Sequence, residues 1–446
     1  MEPRFEYDAI VVGLGKTGLA CVRHFHRRGL RVAAADTRSD PPMAARARRE
    51  MPELEIRTGA LDAGWLSRTG LLVVSPGLSV RERAIESARQ AGVEVIGDIE
   101  LFARAVHKPV IAITGSNGKS TVTRLVELMG RESGLDVVAA GNIGAPVLDL
   151  LEGYEHGAYV MELSSFQLET TYSLRPVAAA VLNVSHDHMD RYPGLDEYIA
   201  AKHRIHNGAR AVVVNRDDPN TVPSRSAAER WSFGLDQPAG ERDFGLVEDS
   251  GGTWLARGGD RLLEAGSLQL AGRHNLANVL AALALAAAAG WDLKRCARAA
   301  PRFHGLPHRM ELVAEIRGVR WVNDSKATNV GATAAALSGA GGPVVLLAGG
   351  DGKGADFSPL APVVARHARA VILFGRDAPL IEKVIDQAGG VPRHRASSLE
   401  DAVRQASDIA RTGDTVLLSP ACASFDMFTD YEHRGRSFRA AVEKLS

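Results

Sequence analysis

Lysine is scarce in this chain of 446 residues: nine of its 53 basic side chains are lysine, and arginine supplies the rest. Where arginine fills most surface roles, the few lysines mark positions that need a primary amine. The three cysteines, Cys21, Cys296 and Cys422, are odd in number and widely spaced. That argues against a disulfide framework and for a reducing compartment, the cytoplasm. Neither sign of charge is in excess, with 53 basic and 53 acidic side chains. The electrostatic footprint of a nucleic-acid or anionic-membrane binder is therefore lacking. Long apolar runs are lacking too. Val279 to Ala289 is the longest, too short and too alanine-rich to span a bilayer. The start, with Glu2, Glu6 and Asp8, reaches Gly13 after only a short apolar run, unlike a secretory leader. There is no short-period repeat and no low-complexity tract. A soluble, cytoplasmic protein is expected.

What is present is an ordinary globular balance, 45% hydrophobic and 24% charged, over a length that exceeds one typical core. Three segments open alike, with an apolar strand, a glycine-rich turn and a helical pattern. They are Ala9 to Val12 into Gly13–Gly18, Val110 to Ile113 into Thr114–Thr121, and Val344 to Leu347 into Gly349–Gly354. Strands apolar throughout read as buried parallel strands, and their alternation with helices predicts three α/β units. Boundaries are expected near Gly97 and Gly305, giving segments 1–97, 98–305 and 306–446. The polar stretch from Pro223 to Gly266 reads as β-hairpins and loops.

Gly13, Gly15 and Gly18 fit G-x-G-x-x-G after a strand, and Asp36 ends the next one. Such glycines let the backbone approach a diphosphate while the acid accepts from a ribose hydroxyl. The pattern does not separate a dinucleotide from a nucleotide sugar, since both carry a pyrophosphate. A turn needed only for helix-on-sheet packing is the bland alternative.

The second loop, Gly115-Ser116-Asn117-Gly118-Lys119-Ser120, is a variant phosphate loop. The standard spacing G-x-x-x-x-G-K-[ST] would place glycine at Ile113. Backbone N–H groups and the following helix N-terminus can still cradle phosphate oxygens, with Lys119 on the terminal phosphate. Ser120 or Thr121 can offer a hydroxyl to Mg²⁺, and Glu162 ends a strand where a second, carboxylate ligand belongs. Another strand, Val177 to Leu182, delivers Asn183 and then His186-Asp187-His188-Met189-Asp190 to the same edge. Taken alone, His188 is more often a surface or capping histidine. Its clustering with other polar groups past parallel-strand ends raises its standing.

These stretches resemble the Mur ligases of peptidoglycan synthesis along essentially the whole chain. The resemblance is carried by Thr114–Thr121, Glu162–Glu169 and Asn183 through Pro193. It continues in His274–Asn278, Pro307-His308-Arg309, Asn323–Asn329 and Ser419–Ser424. The Glu162–Glu169 run, Asp187–Tyr192 and the C-terminal segment resemble most the branch that adds D-glutamate to UDP-N-acetylmuramoyl-L-alanine. The resemblance implies a Rossmann-like N-terminal domain, a P-loop-type central ATPase domain and a Rossmann-like C-terminal domain. It implies that ATP phosphorylates the acceptor carboxylate and that the amine of D-glutamate attacks the acyl phosphate, in a monomeric enzyme with two Mg²⁺ ions.

Residue by residue, it assigns Gly115, Asn117, Gly118, Lys119, Ser120 and Thr121 to the ATP phosphates. Asn275, Asn278, Arg309 and Asp324 match positions around the adenosine and phosphates. Ser120, Glu162, His188 and Lys202 match the metal positions, Lys202 as a carbamylated lysine. Lys16, Thr17, Asp36, Thr37, Arg38, Gly77 and Asn142 would bind the UDP substrate. Thr328, Lys353, Ser424, Phe425 and Tyr431 would grip D-glutamate. Five of the nine lysines (Lys16, Lys119, Lys202, Lys326 and Lys353) lie in such motifs, more than scatter suggests. Three other readings remain. They are a relative that adds L-alanine, a diamino acid or a folate glutamate, a nicotinamide-dependent dehydrogenase built on the first loop, and a nucleotide-switched binding module. The dehydrogenase reading leaves Lys119, Glu162, His188 and Lys202 unexplained, and phosphate release with both substrates present separates a ligase from a binding module.

Overall fold

Each of the three strand–glycine–helix signals opens a sheet of its own in a computed structural model that describes residues 5–224, 229–270 and 272–445. Glu2 and residues 225–228 lie outside the described residues. The first sheet has five strands in the order Ile56–Thr58, Val32–Asp36, Ala9–Val12, Leu71–Val74, Glu94–Ile96, all parallel. Ala9–Val12 is buried over its whole length, as a strand covered on both faces must be.

The central sheet has nine strands. Val110–Thr114 lies between Ala158–Glu162 and Ala178–Val181, parallel to both. Val137–Gly141 forms one edge, and Ala211–Asn215 continues the sheet on the other side. Of the stretch expected as hairpins, Glu229–Phe233 instead pairs in parallel with Ala211–Asn215. Trp231 and Phe233 explain the difference, because they pack into the core under the helix Arg273–Ala288 and make this a buried strand. Hairpins follow: Asp243–Asp249, Gly252–Arg257 and Asp260–Glu264 form an antiparallel meander. The longest apolar run of the chain lies in Arg273–Ala288, which is buried nearly all round. Among the described residues no helix is long and apolar enough to cross a membrane.

The third sheet runs Glu311–Ile316, Val319–Asn323, Thr415–Leu418, Val344–Gly349, Ala368–Phe374, Arg393–Arg395, parallel except for the first pair. In all three sheets the strand order reverses beside the strand that carries the glycine turn or its neighbour. Open α/β sheets bind ligands in the crevice outside the carboxyl ends at such points. One apolar cluster extends from the first sheet (Val11, Val73, Ile96) through Ile99 and Phe102 into the central domain (Ala112, Met161, Ile205). The third domain keeps its own clusters, around Leu346 and Leu347.

Candidate active site

The turn after Val110–Thr114 takes its shape from two glycines with positive φ, Gly115 at 156° and Gly118 at 82°. A Cβ on Gly118 would lie 2.4 Å from Asn278 Oδ1, so the loop touches the helix Arg273–Ala288 there. Asn183, at the end of the neighbouring strand, clamps the loop. Its Oδ1 accepts from Asn117 N at 2.8 Å, its Nδ2 donates to Asn117 O at 3.0 Å, and its carbonyl accepts from Ser116 N at 2.9 Å. Lys119 opens the helix Lys119–Glu132 and folds back, with Nζ donating to Gly115 O at 2.8 Å and Ser116 O at 2.9 Å. Burial lowers its basicity below the ordinary lysine value, against the pull of Glu162 and Asp187. Ser120 Oγ accepts from Arg309 Nη2 at 2.9 Å, which ties the loop to the segment entering the third domain.

Glu162 ends its strand beside this loop and is 2% exposed. Its Oε1 accepts from Asn142 Nδ2 at 2.9 Å, while Oε2 is buried with no hydrogen-bond partner. A carboxylate oxygen so placed fits a hard cation. His188 stands at φ 58° with its ring edge-on to Phe166, the centroids 4.9 Å apart. Burial depresses its pKa to about 4, against the pull of Asp187, so the imidazole is neutral and has a lone pair to give. Lys202, on the helix Leu195–His203, is 1% exposed. Its Nζ lies 4.4 Å from the Tyr198 ring centroid and donates to Gly115 O at 2.9 Å. Burial first, and then the charge of Lys119, carry its pKa well below the ordinary value. That favours a neutral amine.

These groups line one cavity of about 700 Å³, to which all three domains contribute. Gly77 comes from the first. Asn117, Gly118, Lys119, Asn142, Glu162, His188 and Lys202 come from the central one. Thr328, Lys353, Ser424, Phe425 and Tyr431 come from the third. Lys353 Nζ reaches across to Asp187 Oδ1 at 2.6 Å. Burial alone would raise Asp187, but the Lys353 ammonium outweighs it and holds the carboxyl below its ordinary range. Phe425 is 73% exposed at the rim. A second cavity of about 300 Å³ adjoins the first through Asn117, Gly118 and Arg309, and holds Thr121, Asn275, Asn278 and Asp324. Burial raises Asp324 to about 7, although Ser419 Oγ donates to it at 2.9 Å. A third, of about 390 Å³, lies at the switch point of the first sheet and is lined by Lys16, Thr17, Asp36, Thr37, Arg38 and Gly77.

Family models match along the chain: a MurD-like N-terminal domain of Mur ligases over residues 7–97, a Mur ligase middle domain over 113–286, and a Mur ligase glutamate ligase domain over 308–422. A UDP-N-acetylmuramoylalanine–D-glutamate ligase of Nitrosococcus oceani is 51% identical over 450 residues, covering 100% of this chain and 98% of its own. Its counterpart in Pseudomonas aeruginosa is 52% identical over 446 residues, covering 99% of each. The chain belongs to the Mur ligase family. Solved Mur ligase structures share the three-domain fold. The UDP-N-acetylmuramate-alanine ligase of Thermotoga maritima superposes with a TM-score of 0.62 at 19% identity, over 99% of this chain and all of that one. A pseudomurein peptide ligase type C from Methanothermus fervidus gives 0.63 at 19%, over 98% of this chain and all of that one.

Against this Mur ligase frame, two expectations shift. Asn142 does not line the first-domain cavity; it lies in the large cavity, bonded to Glu162 through both its side chain and its N–H. Asp36 does not present free lone pairs to a ribose. Its carboxylate accepts from Leu14 N at 2.7 Å and from Arg38 N, Nε and Nη2 at 2.9, 2.8 and 2.6 Å. It holds the glycine loop and Arg38 in place. Sequence reasoning also left several lining residues without a role. Asp187 bridges Lys353 and Asn329. Asn183 sets the loop. Lys326 lines both adjoining cavities, 3.6 Å from the Tyr431 ring centroid, and burial lowers it to about 8. The scarcity of lysine was the signal for Lys326, and a place just past a parallel-strand end was the signal for Asn183.

Proposed function

We propose that this Mur ligase joins D-glutamate to UDP-N-acetylmuramoyl-L-alanine at the expense of ATP, in the cytoplasm and as a monomer, with domains at 1–97, 98–305 and 306–446. One observation supports the reaction class above others. A phosphate loop, a buried carboxylate oxygen without a partner and a third-domain lysine meet in a single cavity. The choice of D-glutamate rests on relatives of 51% and 52% identity that carry that name.

ATP lies along the two adjoining cavities, its nucleoside beside Asn275 and Asn278 and its phosphates at the glycine loop and the N-terminus of the helix Lys119–Glu132. Lys119 turns from the loop carbonyls to the terminal phosphate. The acceptor nucleotide sits in the first-domain cavity, and its carboxylate passes Gly77 and Asn142 to reach the phosphate. In-line transfer then needs alignment and charge neutralisation more than covalent help. Lys353, Thr328, Ser424, Phe425 and Tyr431 hold D-glutamate, whose amine displaces phosphate from the acyl phosphate. Glu162, His188, Ser120 and Lys202 fit two Mg²⁺ ions, which supply positive charge to the phosphates and the acceptor carboxylate when bound. Lys202 would join them as a carbamate. A neutral amine adds to CO₂, forming an N–C bond and releasing one proton, and the burial of Nζ favours that neutral form.

Phosphate release measured with the acceptor nucleotide and a panel of amino acids tests the reading. Release with D-glutamate alone is expected. Selective use of L-alanine or a diamino acid would reject the substrate, and no release at all would reject the ligase reaction.

A further inference from the structure

Arg191 belongs to a run singled out in the sequence, yet none of the roles above uses it. Its guanidinium lies 4.2 Å from the Phe166 ring centroid, and Phe166 in turn stacks on Tyr192 at 5.9 Å. Stacking of this kind fixes the plane of the guanidinium. One donor is engaged: Nη2 gives a hydrogen bond to Leu78 O at 3.3 Å, across to the first domain. No ion pair of Arg191 occurs among the described residues, so its charge is not neutralised within the protein.

Its location is specific. Arg191 lines the large cavity, while Leu78 lines the first-domain cavity, and Gly77 lines both. A ligand extended from one cavity into the other passes this guanidinium. The acceptor read above has two anionic parts, a diphosphate and a terminal carboxylate. The carboxylate must reach the loop of Lys119, so the anion left at the first-domain end is the diphosphate. A planar fork with free donors suits phosphate oxygens. Arg191 is also tied to the metal-site turn, its N–H donating to His188 O at 2.9 Å.

Resting on the ligase reading, we propose that Arg191 is a substrate-binding residue that grips the diphosphate of the acceptor nucleotide where the two cavities join. UDP and uridine are the probes, measured by calorimetry on the full chain with Arg191→Ala and Arg191→Lys. UDP affinity is expected to fall roughly ten- to hundredfold in Arg191→Ala, the scale of one or two charge-assisted hydrogen bonds. Arg191→Lys, which keeps the charge but not the fork, is expected to fall less. Uridine affinity and the KM values for ATP and D-glutamate should stay within about twofold, as for contacts the residue does not make. Unchanged UDP affinity in Arg191→Ala would overturn the proposal. So would an equal loss for uridine, which would mean a general disturbance of the site. If UDP binding weakens as expected but the wild type uses another amino acid, the D-glutamate assignment falls and the role of Arg191 stands.

Discussion

Lys119→Met separates catalysis from stability. The Lys119 side chain is half-buried, and its hydrogen bonds go to two neutral carbonyls, Gly115 O and Ser116 O. Losing them costs about 0.5–1.5 kcal/mol each. Removing a half-buried cation recovers part of a desolvation cost on the order of several kcal/mol, and methionine fills the same slot with an apolar chain. The free variant should therefore melt at the wild-type temperature or above it. Linkage gives the same sign: burial lowers the folded basicity, so the unfolded state binds more protons. Stability from this site rises with pH between the folded value and the ordinary lysine value, and the variant lacks that slope. Turnover should move the other way. A donor to charge developing on a phosphate contributes roughly 3–4 kcal/mol, so kcat should fall about 10²- to 10³-fold. Phosphate release measures kcat, and melting curves with and without Mg–ATP measure the rest. At 100 times Kd the nucleotide stabilises the wild type by about 2.7 kcal/mol, or about 5–10 °C for a domain of this size. The variant should show a much smaller shift. Turnover within tenfold of wild type would remove Lys119 from the chemistry, and a collapse of the apo melting temperature would make the loss one of folding.

Glu162→Gln keeps the bond from Asn142 but leaves a neutral amide where the unpartnered oxygen stands; the Mg²⁺ concentration for half-maximal activity should rise at least about tenfold, and an unchanged metal titration would refute the assignment. Lys202→Ala should be inactive and partly restored by added short carboxylates, which replace the missing oxygens; a variant with near-normal unaided activity would dismiss Lys202. His206 tests the pH sign. Its ring nitrogens are buried without partners, and burial, then His203, lower its pKa to about 3. Between about pH 6.5 and 3 the unfolded chain binds a proton the folded one refuses, so stability falls as pH falls, by about 1.4 kcal/mol per unit. His206→Phe should lose about 2 kcal/mol less than wild type between pH 7 and 5 in urea denaturation; equal losses would contradict this.

The parts of the site legible in the sequence are those that local chain geometry determines. Strand, glycine turn and helix placed Gly115–Thr121, and the strand-end positions of Glu162 and Asn183 followed from the same alternation. Lys202 is different. Nothing in the helix Leu195–His203 marks it as buried, and only the family resemblance assigned it a metal role. Its pairing with Gly115 O spans 87 positions, a separation that no periodicity encodes. The same limit kept the contact of Asn142 with Glu162 out of the sequence, since it is set by the pairing of Val137–Gly141 with Ala158–Glu162. Asp36 shows another limit. The fingerprint specifies an acid at a strand end, but Arg38, two residues on, takes that acid for itself. The polarity of the whole stretch from Pro223 to Gly266 points to hairpins and loops, and averaging over so long a window masks Trp231 and Phe233, which make Glu229–Phe233 a core strand.

The two joints between domains differ in kind, and the difference bears on how the substrates meet. The first and central domains share one apolar cluster running from Val11 through Phe102 to Met161. Apolar burial of that sort depends on no ligand. The third domain meets the central one through polar groups that belong to the site itself: Lys353 with Asp187, Asn329 with Asn117 and Asp187, and Arg309 with Ser120. Its linker holds Gly305, His308 and Met310 at positive φ. A carboxylate that engages Lys353 must therefore share it with Asp187 or displace Asp187, whose neighbour His188 stands at the proposed metal position. The contacts that seat the third domain and those proposed to bind the amino acid draw on the same side chain, Lys353, so the two cannot be optimised independently.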